Sequence, residues 1–231
     1  MLTFPVVEKQ NGYITIIAHG KQIRFKEQQL PTEFIEWQIA DRLKVFQSIT
    51  RGKKPVFLAS HLPTLITFTH ELVDFPLNVV SKGVGLTPVE TELPTLVNQL
   101  YSSLKDLQNT DHSSSLQKRL DAALLLYGHP DKIDRYCLGG LEIFETQSFS
   151  NILNDPRVSL FFVGVAPTYH SYQINCIAEI VDSTQLFYQF VISMRGLFEQ
   201  ASFHFQQPKY PYAIKYHVVQ ILDKSLQVRG K

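Results

Sequence analysis

The chain has 231 residues, which is enough for one large domain or two small ones. It carries 22 Lys and Arg against 21 Asp and Glu, so its formal net charge is +1 and it lacks the basic excess typical of a nucleic-acid-binding protein. Its 16 Phe and 10 Tyr supply ample apolar surface to bury, which excludes disorder. No apolar run approaches the roughly 20 residues that span a bilayer. We therefore expect a globular protein that binds neither nucleic acid nor membrane.

Cysteine usage indicates the compartment. Two cysteines, Cys137 and Cys176, cannot build a disulfide framework and fit a reducing environment. The first residues show no basic segment followed by an apolar stretch, so we expect no signal peptide. These features predict a cytoplasmic protein.

The first thirty residues have the composition of β structure. The β-rich segments are Val6–Val7, Tyr13–Ile17 and Ile23–Phe25. They are separated by Asn11-Gly12 and His19-Gly20, dipeptides that are typical of tight turns. The pattern predicts a β-meander or two hairpins.

Three amphipathic stripes predict helices. The first runs from Pro31 to about Thr50, with apolar residues spaced by three or four. The second, over Leu93–Leu107, is heptad-like but too short for a coiled coil. The third runs over Leu116–Tyr127 and is followed by glycine and proline, which end helices. The polar stretch 108–115 between the second and third stripes is the best candidate linker.

Further apolar segments predict additional strands and a fourth helix. The predicted strands are Val56–Ala59, Leu65–Phe68, Leu77–Val80, Leu141–Phe144, Val158–Val163, Tyr172–Val181 and Ile214–Leu222, and the helix is Leu186–Phe198. Gly83-Val84-Gly85 lacks the third glycine of a nucleotide-binding loop, and we interpret it as a turn. The chain is therefore predicted to be α+β, with a β/helix region over 1–110 and a second region over 116–231.

Three motifs of the C-terminal half resemble a known family. They are LEIFE at 141–145, SNILNDPRVSL at 150–160 and IAEIVD at 177–182. They resemble the pyridoxamine-phosphate-oxidase-like, FMN-binding split β-barrel family, in which a strand leads into a short helix that ends at an N-x-P-R-V-S-L turn. The resemblance implies a split-β-barrel-like C-terminal half on which the N-terminal meander and helices pack. Many members bind FMN between two subunits, and a related group binds and degrades haem.

The resemblance also implies a cofactor site. Thr146, Ser148 and Ser150 would meet the FMN phosphate, and we infer that Arg157 and Tyr210 would line the pocket. Family members usually place a basic residue beside these hydroxyls, whereas the stretch 146–150 has none, so a phosphate there would lack charge-assisted hydrogen bonds. The alternative for Arg157 is a helix-to-strand turn in which it pairs with a nearby acid.

The histidines and cysteines do not indicate a metal centre. Cys137 and Cys176 are too far in sequence from the nearest histidines to form the closely spaced pairs of a zinc site, so we expect no metal. Both thiols are predicted to be buried and structural. His204, between two phenylalanines, is either an axial haem ligand or a packed, hydrogen-bonded residue.

Two functional hypotheses follow. The first is a flavin- or haem-binding split-barrel protein, a homodimer with an oxidoreductase role. The second is a non-catalytic assembly or regulatory protein without a cofactor, which binds a protein partner through its heptad-like helix and an aromatic loop. That loop, Pro208–His217, interleaves tyrosines with basic residues, so it could stack a flat cofactor or simply lead into an edge strand.

Overall fold

The computed structural model describes residues 3–51, 60–69, 74–108, 110–111, 114–164, 169–199 and 206–225. The predicted strand Val56–Ala59 and the residue His204 lie outside the described residues. Among the residues described, no helix is long and apolar enough to cross a membrane.

The N-terminal strands form the predicted meander, an antiparallel sheet in the order β1-β2-β3. At the first turn Asn11 and Gly12 both have positive φ, 51° and 73°. At the second, His19 and Gly20 have φ of 52° and 71°. Two left-handed residues in a row define the turn whose twist matches that of a hairpin. The strands are β1 (Val7–Gln10), β2 (Tyr13–Ala18) and β3 (Lys21–Lys26).

The remaining strands form one seven-stranded antiparallel sheet in the order β5-β4-β8-β9-β10-β7-β6. They are β4 (Thr64–Phe68), β5 (Leu77–Ser81), β6 (Val84–Pro88), β7 (Ile133–Glu142), β8 (Arg157–Val163), β9 (Ser171–Val181) and β10 (Tyr212–Asp223). Strands from both predicted regions share this sheet, and the division into 1–110 and 116–231 stays a prediction.

The connection between β5 and β6 shows that this sheet curls on itself. The two strands lie at opposite edges of the sheet, yet only Lys82 and Gly83 join them. Such a link spans about 11 Å at most, so the edges must approach each other. In the described part of the chain no ladder pairs β5 with β6. The result is a barrel with an open seam, and the α+β, split-barrel-like prediction is confirmed.

The described residues form five helices that cover the barrel, and the predicted ones are all present. They are α1 (Thr32–Thr50), α2 (Leu93–Leu107), α3 (Leu116–Tyr127), α4 (Gln147–Asn154) and α5 (Leu186–Phe198). Helix α2 packs chiefly on α5, and α3 contacts α1, α2 and α5. Leu93, Val97 and Leu100 of the heptad-like stripe are buried in this packing. The stripe therefore packs inside the chain. That a protein partner binds stays a prediction.

The buried apolar side chains of the described residues form two clusters. In the larger, Phe34 of α1 is fully buried and its ring meets those of Trp37, Phe162 and Tyr172 edge-on. The smaller cluster joins β2 of the meander to Ile177 of β9. The meander is thus attached to the outside of the barrel by apolar contact.

Two sequence predictions are wrong. The strand predicted at Leu141–Phe144 is β7, which begins at Ile133 and ends at Glu142. The predicted turn Gly83-Val84-Gly85 instead opens β6, because Gly85 pairs with Gly139 of β7. A side chain at Gly139 would meet Thr87 Cγ2 at 2.6 Å, so this stretch of sheet requires glycine.

Candidate functional site

The three hydroxyls predicted to meet a phosphate do not share a surface. Thr146 occupies the position before the first residue of α4, without a side-chain capping hydrogen bond, and Ser150 lies four residues later on the same helical face. Both are exposed. Ser148 lies on the opposite, buried face beside Phe149, and its Oγ has no hydrogen-bond partner among the described residues. A ligand could meet Thr146 and Ser150 together, but not all three.

Arg157 is held by a buried acid. Its Nε lies 2.9 Å from Asp155 Oδ1 and its Nη2 lies 2.5 Å from Asp155 Oδ2, which is a two-point pairing. Asp155 is buried and also has His19 Nε2 at 3.3 Å. The side-chain hydrogen bond to Asp155 raises the pKa of Arg157. The structure therefore supports the turn-and-ion-pair alternative for this residue.

Tyr210 joins the segment before β10 to the end of α5. Its side chain is buried, its hydroxyl donates to Glu199 Oε1, and its ring lies 4.8 Å from the guanidinium carbon of Arg195. Its carbonyl accepts a 2.8 Å hydrogen bond from the hydroxyl of Tyr188. These contacts give Tyr210 a structural role at the base of the aromatic loop. The Tyr210 side chain is less exposed than the partner-binding hypothesis requires.

A cleft of about 550 Å³ lies at the end of the barrel where β7 and β9 end and β10 begins. The register Tyr212↔Glu142 brings these strand ends side by side. Three segments line the cleft: the turn after β7, the turn after β9 and the loop before β10. The lining residues are Ile143, Phe144, Glu145, Asp182, Ser183, Gln207, Lys209, Pro211 and Tyr212. Thr146 and Tyr210 adjoin this set in sequence without belonging to it.

A buried carboxylate fixes the first of these segments. Both oxygens of Glu142 accept hydrogen bonds from Lys82 Nζ, at 3.0 and 2.8 Å. Oε1 also accepts the backbone N–H groups of Ile143, Phe144 and Glu145, at 3.1, 3.1 and 3.0 Å. Glu145 has a φ of 48°, in the left-handed region that non-glycine residues rarely adopt. Glu142 thus holds a strained turn that presents Phe144 and Glu145 at the cleft.

The aromatic part of the wall consists of Tyr212, which packs against other rings, and the exposed Phe144. Tyr212 stacks on the buried ring of Phe149, with centroids 5.4 Å apart, and the ring of Phe4 meets it edge-on at 5.2 Å. Phe144 is 46% exposed. The cleft therefore offers one aromatic ring held in place and another that solvent can reach.

The charged lining is more acidic than basic. The charged residues of the lining are Lys209, Glu145 and Asp182. Hydrogen bonds from the hydroxyl and backbone N–H of Thr184 lower the pKa of Asp182, so this group is ionised at neutral pH. A lining with one lysine and two carboxylates does not suit a dianionic phosphate.

Sequence reasoning missed Phe144, Glu145 and Asp182. The first two lie within the family motif at 141–145 and the third ends the motif at 177–182, but they were not singled out as ligand contacts. Lys209 and Tyr212 belong to the aromatic and basic stretch that the sequence did single out. A usable signal was that the three missed residues lie just after the ends of β7 and β9. Both of these ends lie beside the start of β10, because β10 runs antiparallel to both strands.

The two thiols are buried, as predicted. Burial raises the pKa of Cys137 to about 12 and raises that of Cys176 well above its usual range. Both therefore remain protonated and unreactive at neutral pH. Within the described ranges, no group of three metal-ligating side chains comes together.

Ionisable side chains also meet where β10 crosses its neighbours. His217 is buried, and its Nε2 lies 2.6 Å from Glu179 Oε2. Lys9 of the meander pairs with Glu27 at 2.7 Å. Burial raises the pKa of Asp134, whose Oδ1 accepts the N–H of Tyr136 at 2.8 Å. Asp134 is therefore less favourable in its charged form in the folded protein than in the unfolded chain.

We expect Asp134→Asn to raise the melting temperature at pH 7. The amide oxygen can still accept the Tyr136 N–H, while the buried charge is removed. Because the folded pKa lies above the unfolded one, the native protein gains stability as pH falls through the folded pKa. The advantage of the variant should therefore vanish below about pH 4, the unfolded pKa of Asp. Thermal melts from pH 3 to 8 measure this; an advantage that persists at low pH would contradict it.

No protein-family model matches the sequence, and a search of curated proteins finds no match. Solved structures are similar to the chain at low identity. HupZ of Group A Streptococcus has a TM-score of 0.41 and 12% identity, covering 71% of this chain and 86% of its own. An FMN-binding protein of Syntrophomonas wolfei has a TM-score of 0.41 and 11% identity, covering 85% and 95%. A candidate pyridoxamine 5'-phosphate oxidase of Lactobacillus delbrueckii has a TM-score of 0.40 and 13% identity, covering 84% and 93%.

The last two descriptions belong to the family that the sequence motifs resemble. Because all three TM-scores lie below 0.5, we base the functional proposals on the residues of this chain.

Proposed function

We propose that this protein is a flavin-binding protein of the split-barrel type with an oxidoreductase role, and that its cleft takes the flavin ring. The observation that carries the proposal is the aromatic wall of the cleft, where Tyr212 is fixed by Phe149 and Phe144 is open to solvent. Flat ring systems bind by stacking on such side chains. A bound flavin supplies hydride or one-electron transfer. The cytoplasmic location stays a prediction.

The chain fits the ring of FMN better than its phosphate. Arg157, the cation closest in sequence to the predicted phosphate hydroxyls, is engaged by Asp155. Lys209 shares the lining of the cleft with two acidic residues, Glu145 and Asp182. Thr146 and Ser150 supply exposed hydroxyls on one face of α4, next in sequence to the turn that carries Phe144. In this proposal the flavin is held by stacking and hydroxyl contacts, with little contribution from phosphate charge.

The first test is the absorbance spectrum of the purified protein, followed by titration with FMN and with riboflavin. We expect a flavin band and closely similar affinities for the two ligands, because the lining has no excess of positive charge. A protein that stays colourless after addition of both flavins and of haemin would overturn the proposal. A strong preference for FMN would show that a cation reaches the phosphate.

A variant pair tests the aromatic wall. Phe144→Ala should weaken flavin binding about tenfold, because stacking of a ring on an aromatic side chain contributes about 1–3 kcal/mol. Tyr101→Ala is the matched control, since Tyr101 is a 69% exposed aromatic residue on α2. Equal affinities in the two variants would remove the cleft as the site. Replacing Thr146 and Ser150 together by Ala tests the hydroxyls, and unchanged affinity would end that assignment.

Haem is the other planar group that the resemblance implies. Haem carries carboxylates, which an acidic lining disfavours, so the same observation that weighs against a phosphate weighs against haem. Haemin added in the titration tests this directly, by the appearance of a strong band in the blue.

A second candidate function is a non-catalytic protein that acts through protein–protein contact. Neither the stripe of α2 nor Tyr210 is exposed enough to serve it. The observation that favours it is a different surface, the apolar outer face of the hairpin formed by β4 and β5.

A further inference from the structure

Strand β3 lies at one edge of the meander and is strongly basic. No described strand pairs with its other side, because the sheet ends there in the order β1-β2-β3. Its six residues include Lys21, Arg24 and Lys26 and no acidic residue. All three basic side chains are exposed, and none is paired with a carboxylate among the described residues. The strand therefore presents three uncompensated positive charges along a free edge.

This positive charge is local. Residues 1–26 contain four of the 22 basic residues of the chain and one of its 21 acidic residues, so the remainder of the chain has an excess of acids. The fourth basic residue, Lys9, is paired with Glu27. The single acid, Glu8, lies two strands from Arg24, about 10 Å between backbones, because both residues pair with Thr15 of β2. A nearly neutral chain thus has one strongly basic edge.

The backbone of β3 is oriented to receive another strand. The N–H of Glu27 donates to the carbonyl of Gly12 at 2.9 Å, directly beyond the last pair of β2 with β3. Hydrogen-bonded and non-hydrogen-bonded pairs alternate in an antiparallel ladder, so the backbone N–H and C=O groups of Gln22, Arg24 and Lys26 point away from β2. Proteins use such an edge to bind an extended peptide as one further strand.

The side chains of β3 define the chemistry of that peptide. Arg24 and Lys26 are two residues apart, so they point to the same side of the sheet. Acidic residues two apart on an added strand would lie opposite them, and opposite charges on neighbouring strands stabilise the pairing. Ile23 and Phe25 point to the other side and pack on the smaller apolar cluster. The residues between the acids would border that cluster and should be apolar.

The same strand disfavours other occupants. A second copy that paired through β3 would bring basic residues opposite basic residues, which destabilises a ladder. The guanidinium carbon of Arg24 lies 3.8 Å from the ring centroid of Tyr13, so it covers a ring face on which a nucleic-acid base would stack. An acidic strand uses both the charges and the free backbone groups.

We propose that β3 is the docking edge for an acidic, extended segment of another protein, in which acidic and apolar residues alternate. The segment pairs with β3 as a fourth strand of the meander. This proposal does not depend on a flavin, because β3 contributes none of the residues that line the cleft.

The test measures the binding of labelled synthetic peptides to the full chain by fluorescence anisotropy, without flavin. In the first peptide Glu and Val alternate, in the second the same residues form two blocks, and in the third Lys replaces Glu. We expect the alternating peptide to bind about tenfold more tightly than either of the others, and more weakly as salt is added. Equal affinity for the two Glu peptides would overturn strand pairing. Tighter binding of oligouridine or of phosphatidylserine vesicles than of the alternating peptide would overturn the choice of an acidic protein.

A pair of double variants tests the charges. Arg24→Glu combined with Lys26→Glu should weaken binding of the alternating peptide at least about tenfold. The matched control combines Lys105→Glu with Lys118→Glu, which changes the net charge equally at exposed positions of α2 and α3. This control should bind like the wild type. Equal losses in the two double variants would overturn the proposal.

Gln22→Pro tests the backbone, because it removes an N–H that points away from β2 while both charges remain. Proline is tolerated on edge strands, and Gln22→Ala is the control that keeps the N–H. Only the proline variant should lose affinity, and circular dichroism shows whether it is folded. If it is not, the alternating peptide with methyl groups on alternate backbone nitrogens gives the same test on the wild type. A methylated peptide that binds as tightly as the unmodified one would overturn the proposal.

Discussion

Glu142→Ala should destabilise the protein by about 3–5 kcal/mol, the usual cost of leaving one partner of a buried ion pair alone. Glu142 is 1% exposed, and the side chain of Lys82 is 12% exposed. The substitution removes the carboxylate that pairs with the ammonium of Lys82. It also removes the acceptor of three successive backbone N–H groups. Chemical denaturation should show the loss directly, and the melting temperature should fall by about 10 °C.

Two other variants make this prediction specific. Glu92 pairs with Lys132 at 3.4 Å, but both side chains are about one-third exposed, so Glu92→Ala should cost less than about 1 kcal/mol. Glu142→Gln keeps an oxygen that can accept the backbone N–H groups. Its loss of stability should lie between those of Glu142→Ala and Glu92→Ala. If Glu142→Ala destabilised the protein no more than Glu92→Ala does, the Glu142 carboxylate would not be holding the turn.

The same substitution links stability to the cleft. Glu145 keeps its left-handed conformation beside three N–H groups that all point at one carboxylate oxygen. Without that oxygen the turn can relax, and Phe144 need no longer line the cleft. We therefore expect Glu142→Ala to weaken flavin binding as well, provided that the comparison is made at a temperature where the variant is folded.

Local patterns predicted the helices well. Helix α5 begins and ends at the predicted residues, Leu186 and Phe198, and α3 ends where Gly128 follows it. Apolar spacing and terminal residues act within a few positions, so the sequence displays them directly. The start of strand β7 was harder to predict, because its first half, Ile133–Cys137, mixes charged with apolar residues and has the composition of a surface loop.

The cleft could not be predicted from local sequence patterns. Its three segments are far apart in sequence and become neighbours only through the register of β10 with β7 and β9. Arg157 illustrates the same limit: the sequence suggested a ligand contact or an ion pair, and only the structure shows the ion pair with the buried Asp155. Strand order and register are set by packing across the whole barrel, so residues that depend on them are not identifiable from spacing alone.

Phe34→Ala should cost about 3–5 kcal/mol, as is usual when a fully buried aromatic ring is removed. Phe34 meets Trp37, Phe162 and Tyr172 with ring centroids 5.9, 5.1 and 5.3 Å away. It therefore joins α1 to strands β8 and β9, and its loss leaves a cavity between helix and sheet. Urea denaturation measures the change in the free energy of unfolding.

Trp37 provides an independent reading of this cavity, because it is the single tryptophan of the chain and lies beside Phe34. Trp37 is 8% exposed, so its fluorescence in the native state should shift to longer wavelength if water enters beside it. Phe34→Leu, which fills part of the space, should show a smaller loss of stability and a smaller shift. A stability loss below about 1 kcal/mol for Phe34→Ala, with an unchanged emission maximum, would mean that α1 is not anchored to the barrel by this ring.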